Sequence, residues 1–212
     1  MVEGAVDEGW PAALERGVAG APMAGEERSG DLAVFAGYAG GALVAVLDGL
    51  GHGDPAANAS AIAAEVISEH RLKPAAELLA LCHAALRKTR GVVMTVAWFD
   101  LERHEVSLAG VGNVEARLVR GAAVYGDRHD SALVLGGVVG YKLPSVRPST
   151  MELRPGDSVA FATDGIEADF SRSLAPGLRA QRLAERILER HSKGTDDALA
   201  VVVRYVGRGS DP

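Results

Sequence analysis

Asp48-Gly49-Leu50-Gly51-His52-Gly53 follows directly on the apolar run of residues 42–47, so a carboxylate stands at the end of a predicted strand with glycines at alternate positions behind it. Without a Cβ, such a backbone can turn sharply and bring a carbonyl or an amide close to an ion or a phosphate. Phe161-Ala162-Thr163-Asp164-Gly165 repeats the design: an aspartate at the end of an apolar strand, then glycine. Asp196-Asp197 opens a last apolar run, and Asp31 sits in Ser29-Gly30-Asp31. Taken singly, an aspartate is more often a turn former or a helix cap than a ligand. Together, four carboxylate positions at strand edges point to a divalent metal centre. Oxygen donors of this kind suit hard ions such as Mg2+ or Mn2+, and the sequence shows no Cys/His cluster of zinc type.

The elements that must position these residues can be read from the pattern around them. Residues 32–38 and 42–47 predict two strands joined by a glycine turn at Ala39-Gly40-Gly41. Asp54-Pro55 reads as an N-cap with proline at the first helical position, opening a helix to residue 70, and a second helix is expected over 74–87. Strands follow at 92–99, 105–111 and 114–120, the last two parted by Gly112-Asn113, where Asn113 reads as a turn cap. Gly136, Gly137 and Gly140 mark an irregular, mobile stretch, Leu135 to Lys142 included. A strand-turn-strand over 151–162 around Pro155-Gly156-Asp157 reads as a hairpin. An amphipathic helix over 178–191 and a strand over 198–205 close the chain, while the N-terminal segment is weakly patterned. Strands dominate and two helical blocks accompany them, so antiparallel sheets covered by helices are expected.

Composition narrows the function classes. The 212 residues, 48% apolar and 24% charged, suit one domain over 1–212 with a full core. A net charge of -6 argues against nucleic-acid binding. The single Cys82 lies in a helical apolar pattern and reads as core. No apolar run approaches the ~18 residues that span a bilayer, and the acidic N-terminus has no basic leader, so a cytoplasmic protein is expected. Arg182, Arg186 and Arg190 recur at helical spacing as a solvated face. His70, His83, His104, His129 and His191 show no partner spacing and read as ordinary residues.

In order along the chain, Ser29-Gly30-Asp31, Asp48 to Gly53, Val111-Gly112-Asn113, Pro155-Gly156-Asp157 leading to Thr163-Asp164-Gly165-Ile166, and Asp196-Asp197 before a Val-rich strand resemble the metal-dependent serine/threonine phosphatases of the type 2C (PPM) fold. The resemblance is to the bacterial branch of SpoIIE, RsbU and RsbX and covers nearly the whole chain. It is nearest in build to the lone catalytic domain of RsbX type, with an Arg-Gly step like Arg90-Gly91. It implies an α+β fold, a four-layer α-β-β-α sandwich of two antiparallel sheets flanked by helices. It also implies two Mn2+ or Mg2+ ions, Asp48 bridging them, the Gly49 carbonyl on one, Asp164 and Asp196 completing the ligands of the first ion, and Asp31 approaching the second ion directly or through water. Asp48, Asp164 and Asp196 are thereby the catalytic candidates, with Asp197 behind them. Two such ions can activate water for in-line attack on a phosphomonoester, so the lack of a nucleophile triad counts little against catalysis. The implied substrates are phosphorylated STAS-domain regulators of a bacterial stress response, met by a monomer.

The chain departs from the wider family at several positions. Leu50 stands where many relatives carry a histidine, leaving His52 as the candidate leaving-group acid. Asn113 replaces an aspartate that relatives use for a third metal, and Ala198-Leu199 replaces a pair that often ends in threonine. Arg28 is the upstream arginine available for phosphate. Two rival readings are a catalytically silent binding module of the same fold that regulates a kinase or scaffold by contact, and a nucleotide-binding loop. The second lacks the lysine and Ser/Thr of a P-loop.

Overall fold

The computed structural model describes residues 3–4, 9–121, 129–131, 134–175 and 177–207. The chain runs through β1 (Glu3–Gly4), β2 (Leu14–Ala21), β3 (Asp31–Tyr38) and β4 (Gly41–Gly49) into two helices, α1 (Gly53–Glu69) and α2 (Ala75–Leu86). Then come β5 (Val92–Asp100), β6 (Glu105–Val111), β7 (Glu115–Val119), β8 (His129–Ser131), β9 (Val134–Leu135), β10 (Ser149–Glu152) and β11 (Ser158–Ala162). A 3-10 turn at Phe170–Ser173, α3 (Ala180–His191) and β12 (Ala198–Tyr205) complete it. One sheet has the order β1-β3-β4-β5-β6-β10, with β9 beside β6; the other has the order β2-β12-β11-β7-β8.

Alternation of side chains along the strands builds the layers. In β4, Ala42, Val44 and Val46 face the space between the sheets, where they meet Phe35, Phe161, Val201 and Val203. The intervening Leu43, Ala45 and Leu47 face α1 and α2, packing on Ala59, Ala63, Ile67, Leu78 and Cys82. In β12, Ala200 and Val202 lie under Leu183, Ala184 and Ile187 of α3. Both faces of each central strand are therefore buried, which is why 42–47 is apolar throughout rather than alternating. Each such Val or Leu contributes on the order of 1.5–3 kcal/mol. The result is the expected α-β-β-α sandwich.

Four expectations need correcting. First, β2 is a full strand, paired with β12 from Leu14↔Tyr205 to Ala21↔Ala198. Its strand signature is diluted by Gly17, which α3 requires: a Cβ there would run into the Ala180 carbonyl. Second, Pro155-Gly156-Asp157 does not close a hairpin. β10 pairs with β6 in the first sheet and β11 with β7 and β12 in the second, so the turn carries the chain between sheets. Asp157 holds it by accepting from Gly121 N (3.0 Å), Arg154 N (2.9 Å) and Arg120 Nη1 (2.8 Å). Third, 135–142 is irregular, as expected, but is pinned by backbone and side-chain hydrogen bonds. Val92 and Val139 exchange backbone hydrogen bonds (3.0 and 2.9 Å), Gly112 N donates to Leu135 O (2.9 Å), and Gly140 N donates to His83 Nδ1 (3.0 Å). Fourth, α1 begins at Gly53 with His52 at its N-cap, so Asp54 lies inside the first turn, where its charge still suits the helix dipole.

Candidate metal centre

Antiparallel pairing brings the four aspartates to one end of the sandwich. Asp31 opens β3 and pairs in register with Asp48 near the end of β4. In the second sheet the end of β11 lies beside the start of β12, with Ala162 opposite Ala200, so Asp164 just after one strand and Asp196 just before the other emerge together. The first pair belongs to one sheet and the second pair to the other, and the mouth between the sheets is where they converge.

Glycines permit the approach. Gly49 N donates to Gly30 O (3.1 Å), and Ser60 Oγ of α1 donates to the same carbonyl (2.5 Å). A Cβ on Gly49 would collide with the Ala56 carbonyl and stand 2.9 Å from Ser60 Oγ, so the helix seats directly on this backbone. On the other sheet, a Cβ on Gly165 would collide with the Asp197 carbonyl.

The electrostatics of the mouth are those of carboxylates crowded together. Asp31 is 2% exposed. Its pKa is raised well above the usual carboxylate value by burial first and then by Asp48, with the Thr163 hydrogen bond opposing and Asp197 and Asp164 adding to the rise. Asp48 is pushed up to about 7, again by burial first and then by Asp164, Asp196 and Asp197. Among the described residues no cationic side chain forms an ion pair with either, and Lys193 Nζ instead donates to the Asp164 main-chain carbonyl (2.6 Å). A partly buried cluster of acidic oxygens without a compensating cation fits a hard divalent ion in both charge and donor type. The ends of the cluster differ in exposure. Asp164 and Asp196 are exposed, while Asp197 is buried, with Oδ1 accepting from Met23 N and Oδ2 from Gly30 N (both 2.7 Å). Asp197 thus ties down the segment leading to Asp31, and its own N–H donates to Asp196 Oδ1 (2.9 Å).

The structure brings Asp31, Asp48, Gly49, Asp164 and Asp196 to the mouth. It does not bring Arg28 or His52 into hydrogen-bond contact with them. Arg28 Nη1 donates to Asp54 Oδ1 (2.9 Å), and His52 Nδ1 lies 2.6 Å from Glu26 Oε1. Three neighbours of the mouth were not assigned to the site by the sequence reading. Asn113, read as a turn cap, donates through Nδ2 to Asp164 Oδ2 (2.9 Å) and so orients that carboxylate. Thr163 Oγ1 donates to Asp31 Oδ2 (2.7 Å). Arg90 lies over the glycine loop, its Nη1 only 2.5 Å from where a Cβ of Gly51 (φ +89) would stand, while Leu50 N donates to Gly91 O (3.1 Å). Asn113 and Thr163 lie within the motifs Val111-Gly112-Asn113 and Thr163-Asp164-Gly165-Ile166, so their signal was present; Arg90 is remote in sequence from the loop it covers.

This is the architecture and mouth of a PPM-type phosphatase. The family model for Stage II sporulation protein E matches residues 38–211, and the chain belongs to that family, a branch of the PPM phosphatases. No curated protein matches it by sequence. Among solved structures it is similar to one from work on the bacterial stressosome as a modular system adapted to control secondary messenger signalling, at 27% identity and TM-score 0.82, covering 90% of this chain and 99% of that one. It is similar in fold to RsbX in complex with magnesium, at 19% identity and TM-score 0.81 over 92% and 96% of the two chains. The serine/threonine phosphatase PstP of Mycobacterium tuberculosis shares the fold at 18% identity and TM-score 0.67, over 90% and 98%. No helix among the described residues is long and apolar enough to cross a membrane.

Proposed function

We propose that this chain hydrolyses phosphoserine and phosphothreonine esters on another protein, with two divalent ions, Mn2+ or Mg2+, held by Asp31, Asp48, the Gly49 carbonyl, Asp164 and Asp196. The observation that carries this reading is the convergence of four aspartates from two sheets on one mouth, with Asp48 pushed up to about 7. Bound there, the ions supply Lewis acidity toward water and toward the phosphoryl oxygens. The protein supplies the rest. Asp48, electrostatically coupled to Asp31, Asp164 and Asp196, would hold the ions together with those three carboxylates and the Gly49 carbonyl. Asn113 and Thr163 hold the Asp164 and Asp31 carboxylates in place, which keeps the site preorganised. Arg90, at the rim, offers a fork for phosphate oxygens, whereas Arg28 is occupied by Asp54. Exposed Asp164 and Asp196 leave the mouth open to a phosphorylated side chain on a folded partner.

The substrate class is a phosphorylated STAS-domain regulator. What supports it is likeness over nearly full length to a stressosome-associated structure and, in fold, to RsbX. The test is phosphate release from an aryl phosphate and from phosphorylated STAS proteins with Mn2+, Mg2+ or chelator, comparing the wild type with Asp48→Asn. The expected result is metal-dependent release that falls by roughly a hundredfold or more in the variant. A folded wild type that binds metal yet releases no phosphate from any substrate establishes instead the binding module that acts by contact.

A further inference from the structure

The tightest group of metal-ligating atoms among the described residues lies outside the aspartate mouth. Glu167, Asp169 and His191 bring one ligand atom each within 4.8 Å of one another. His191 is 9% exposed, and its Nδ1 makes no hydrogen bond. That nitrogen lies between two carboxylates, 3.2 Å from Asp169 Oδ1 and 3.6 Å from Glu167 Oε2, at ion-pair distance but off the line of a hydrogen bond.

We infer that Glu167, Asp169 and His191 Nδ1 form a second, separate site for a first-row divalent transition ion, with zinc the best match. With ligand bonds of about 2.0–2.2 Å, two ligands of a tetrahedral ion stand about 3.4 Å apart, which the two measured separations bracket. An imidazole nitrogen with two carboxylate oxygens is a donor set for zinc rather than for magnesium. The imidazole is also prepared for it. Buried Ser173 places Oγ 2.8 Å from His191 Nε2, so with the proton on Nε2 donating to that hydroxyl, Nδ1 keeps a free lone pair beside the carboxylates. Arg172 Nη1 takes the other oxygen of Asp169, Oδ2, at 3.1 Å, leaving Oδ1 turned inward. Water completes the coordination, since the side chains of Glu167 and Asp169 are exposed.

The place of this site in the fold gives it a consequence. Glu167 N donates to His191 O (2.8 Å), Lys193 N donates to Gly165 O (2.9 Å), and Ile166 bridges to Ser192, so the loop leaving Asp164 is laced to the end of α3. An ion at Glu167, Asp169 and His191 cross-links the same two segments by side chains and stiffens the loop that carries Asp164.

The experiment strips the full chain with chelator and titrates it with Zn2+ alone, then with Co2+ for its visible spectrum. Asp48→Asn serves as the background, weakening the aspartate mouth. The expected result is that adding Glu167→Gln and Asp169→Asn to that background removes one equivalent of bound Zn2+, together with its rise in Tm and the tetrahedral Co2+ band. Nitrogen NMR of the wild type keeps the test independent of those variants: the Nδ1 resonance of His191 moves to a metal-coordinated value on Zn2+ addition. Equal zinc uptake with and without the two substitutions overturns the site. So does a His191 that keeps a proton on Nδ1 in the presence of Zn2+, which makes the cluster an imidazolium ion pair. Neither readout depends on phosphatase activity.

Discussion

Thr163 Oγ1 donates a 2.7 Å hydrogen bond to Asp31 Oδ2, and through it the second sheet reaches across the mouth to the first. The same oxygen accepts from Leu199 N (2.9 Å), so one buried hydroxyl joins β11, β12 and β3. Thr163→Val keeps the shape but leaves a buried carboxylate and a buried amide without this partner. The expected cost is about 1–3 kcal/mol, read by urea denaturation of chelated protein, with Thr163→Ser close to wild type.

Burial and the neighbouring carboxylates raise Asp48 from 3.8 to about 7 in the metal-free fold. Because the folded value lies above the unfolded one, the folded chain keeps a proton that the unfolded chain has already released between those two values. This group therefore costs nothing below the unfolded value, and stability falls as pH rises toward 7, with no further loss beyond. The difference in Tm between chelated wild type and Asp48→Asn should grow across that window in favour of the variant. Saturating Mn2+ should reverse the order at pH 7.5. A difference that stays flat with pH refutes the assignment.

Adjacent Asp196 and Asp197 should respond in opposite ways. Asp196 is exposed, so Asp196→Ala should leave the Tm of chelated protein within a degree or two while weakening Mn2+ binding by roughly 10–100-fold. Asp197 accepts two backbone N–H groups while 3% exposed, so Asp197→Ala should cost about 3 kcal/mol or more whether metal is present or not. Calorimetric Mn2+ titration and denaturant unfolding of both variants decide it.

Gly49→Ala places a methyl group against the Ala56 carbonyl and Ser60 Oγ, so α1 must lift from the mouth. A loss of about 1–3 kcal/mol is expected, together with weaker Mn2+ binding, whereas Gly136→Ala should be close to neutral, because nothing lies within 4 Å of a Cβ there and its φ is not positive. Equal Mn2+ affinity in Gly49→Ala and wild type counts against the carbonyl of Gly49 as a ligand.

What could be read without the structure was whatever is encoded locally. Strand-to-glycine-loop junctions at Asp48-Gly49 and Asp164-Gly165 announce themselves because a carboxylate at a strand end and a glycine behind it are neighbours in the chain. The doubly buried β4 and β12 show as unbroken apolar runs for the same reason. The motif order then carried the family, and with it the layers of the sandwich.

What lay beyond reach depends on partners distant in sequence. The segment around Gly17 reads as weakly patterned until α3 is seen to rest on that glycine, and Pro155-Gly156-Asp157 reads as a hairpin until its arms are seen to join different sheets. Asn113 becomes an orienting group through Asp164, and Arg90 comes to the glycine loop through the backbone bond from Leu50 to Gly91. His191 looked ordinary because Glu167 and Asp169 are more than twenty residues away along the chain; only the lacing of the loop to the end of α3 sets them 3–4 Å apart. Residue types and local spacing thus determined that this chain carries carboxylates at strand ends. Packing of two sheets alone decided which of those charges meet, which are buried and raised in pKa, and which are held as supports.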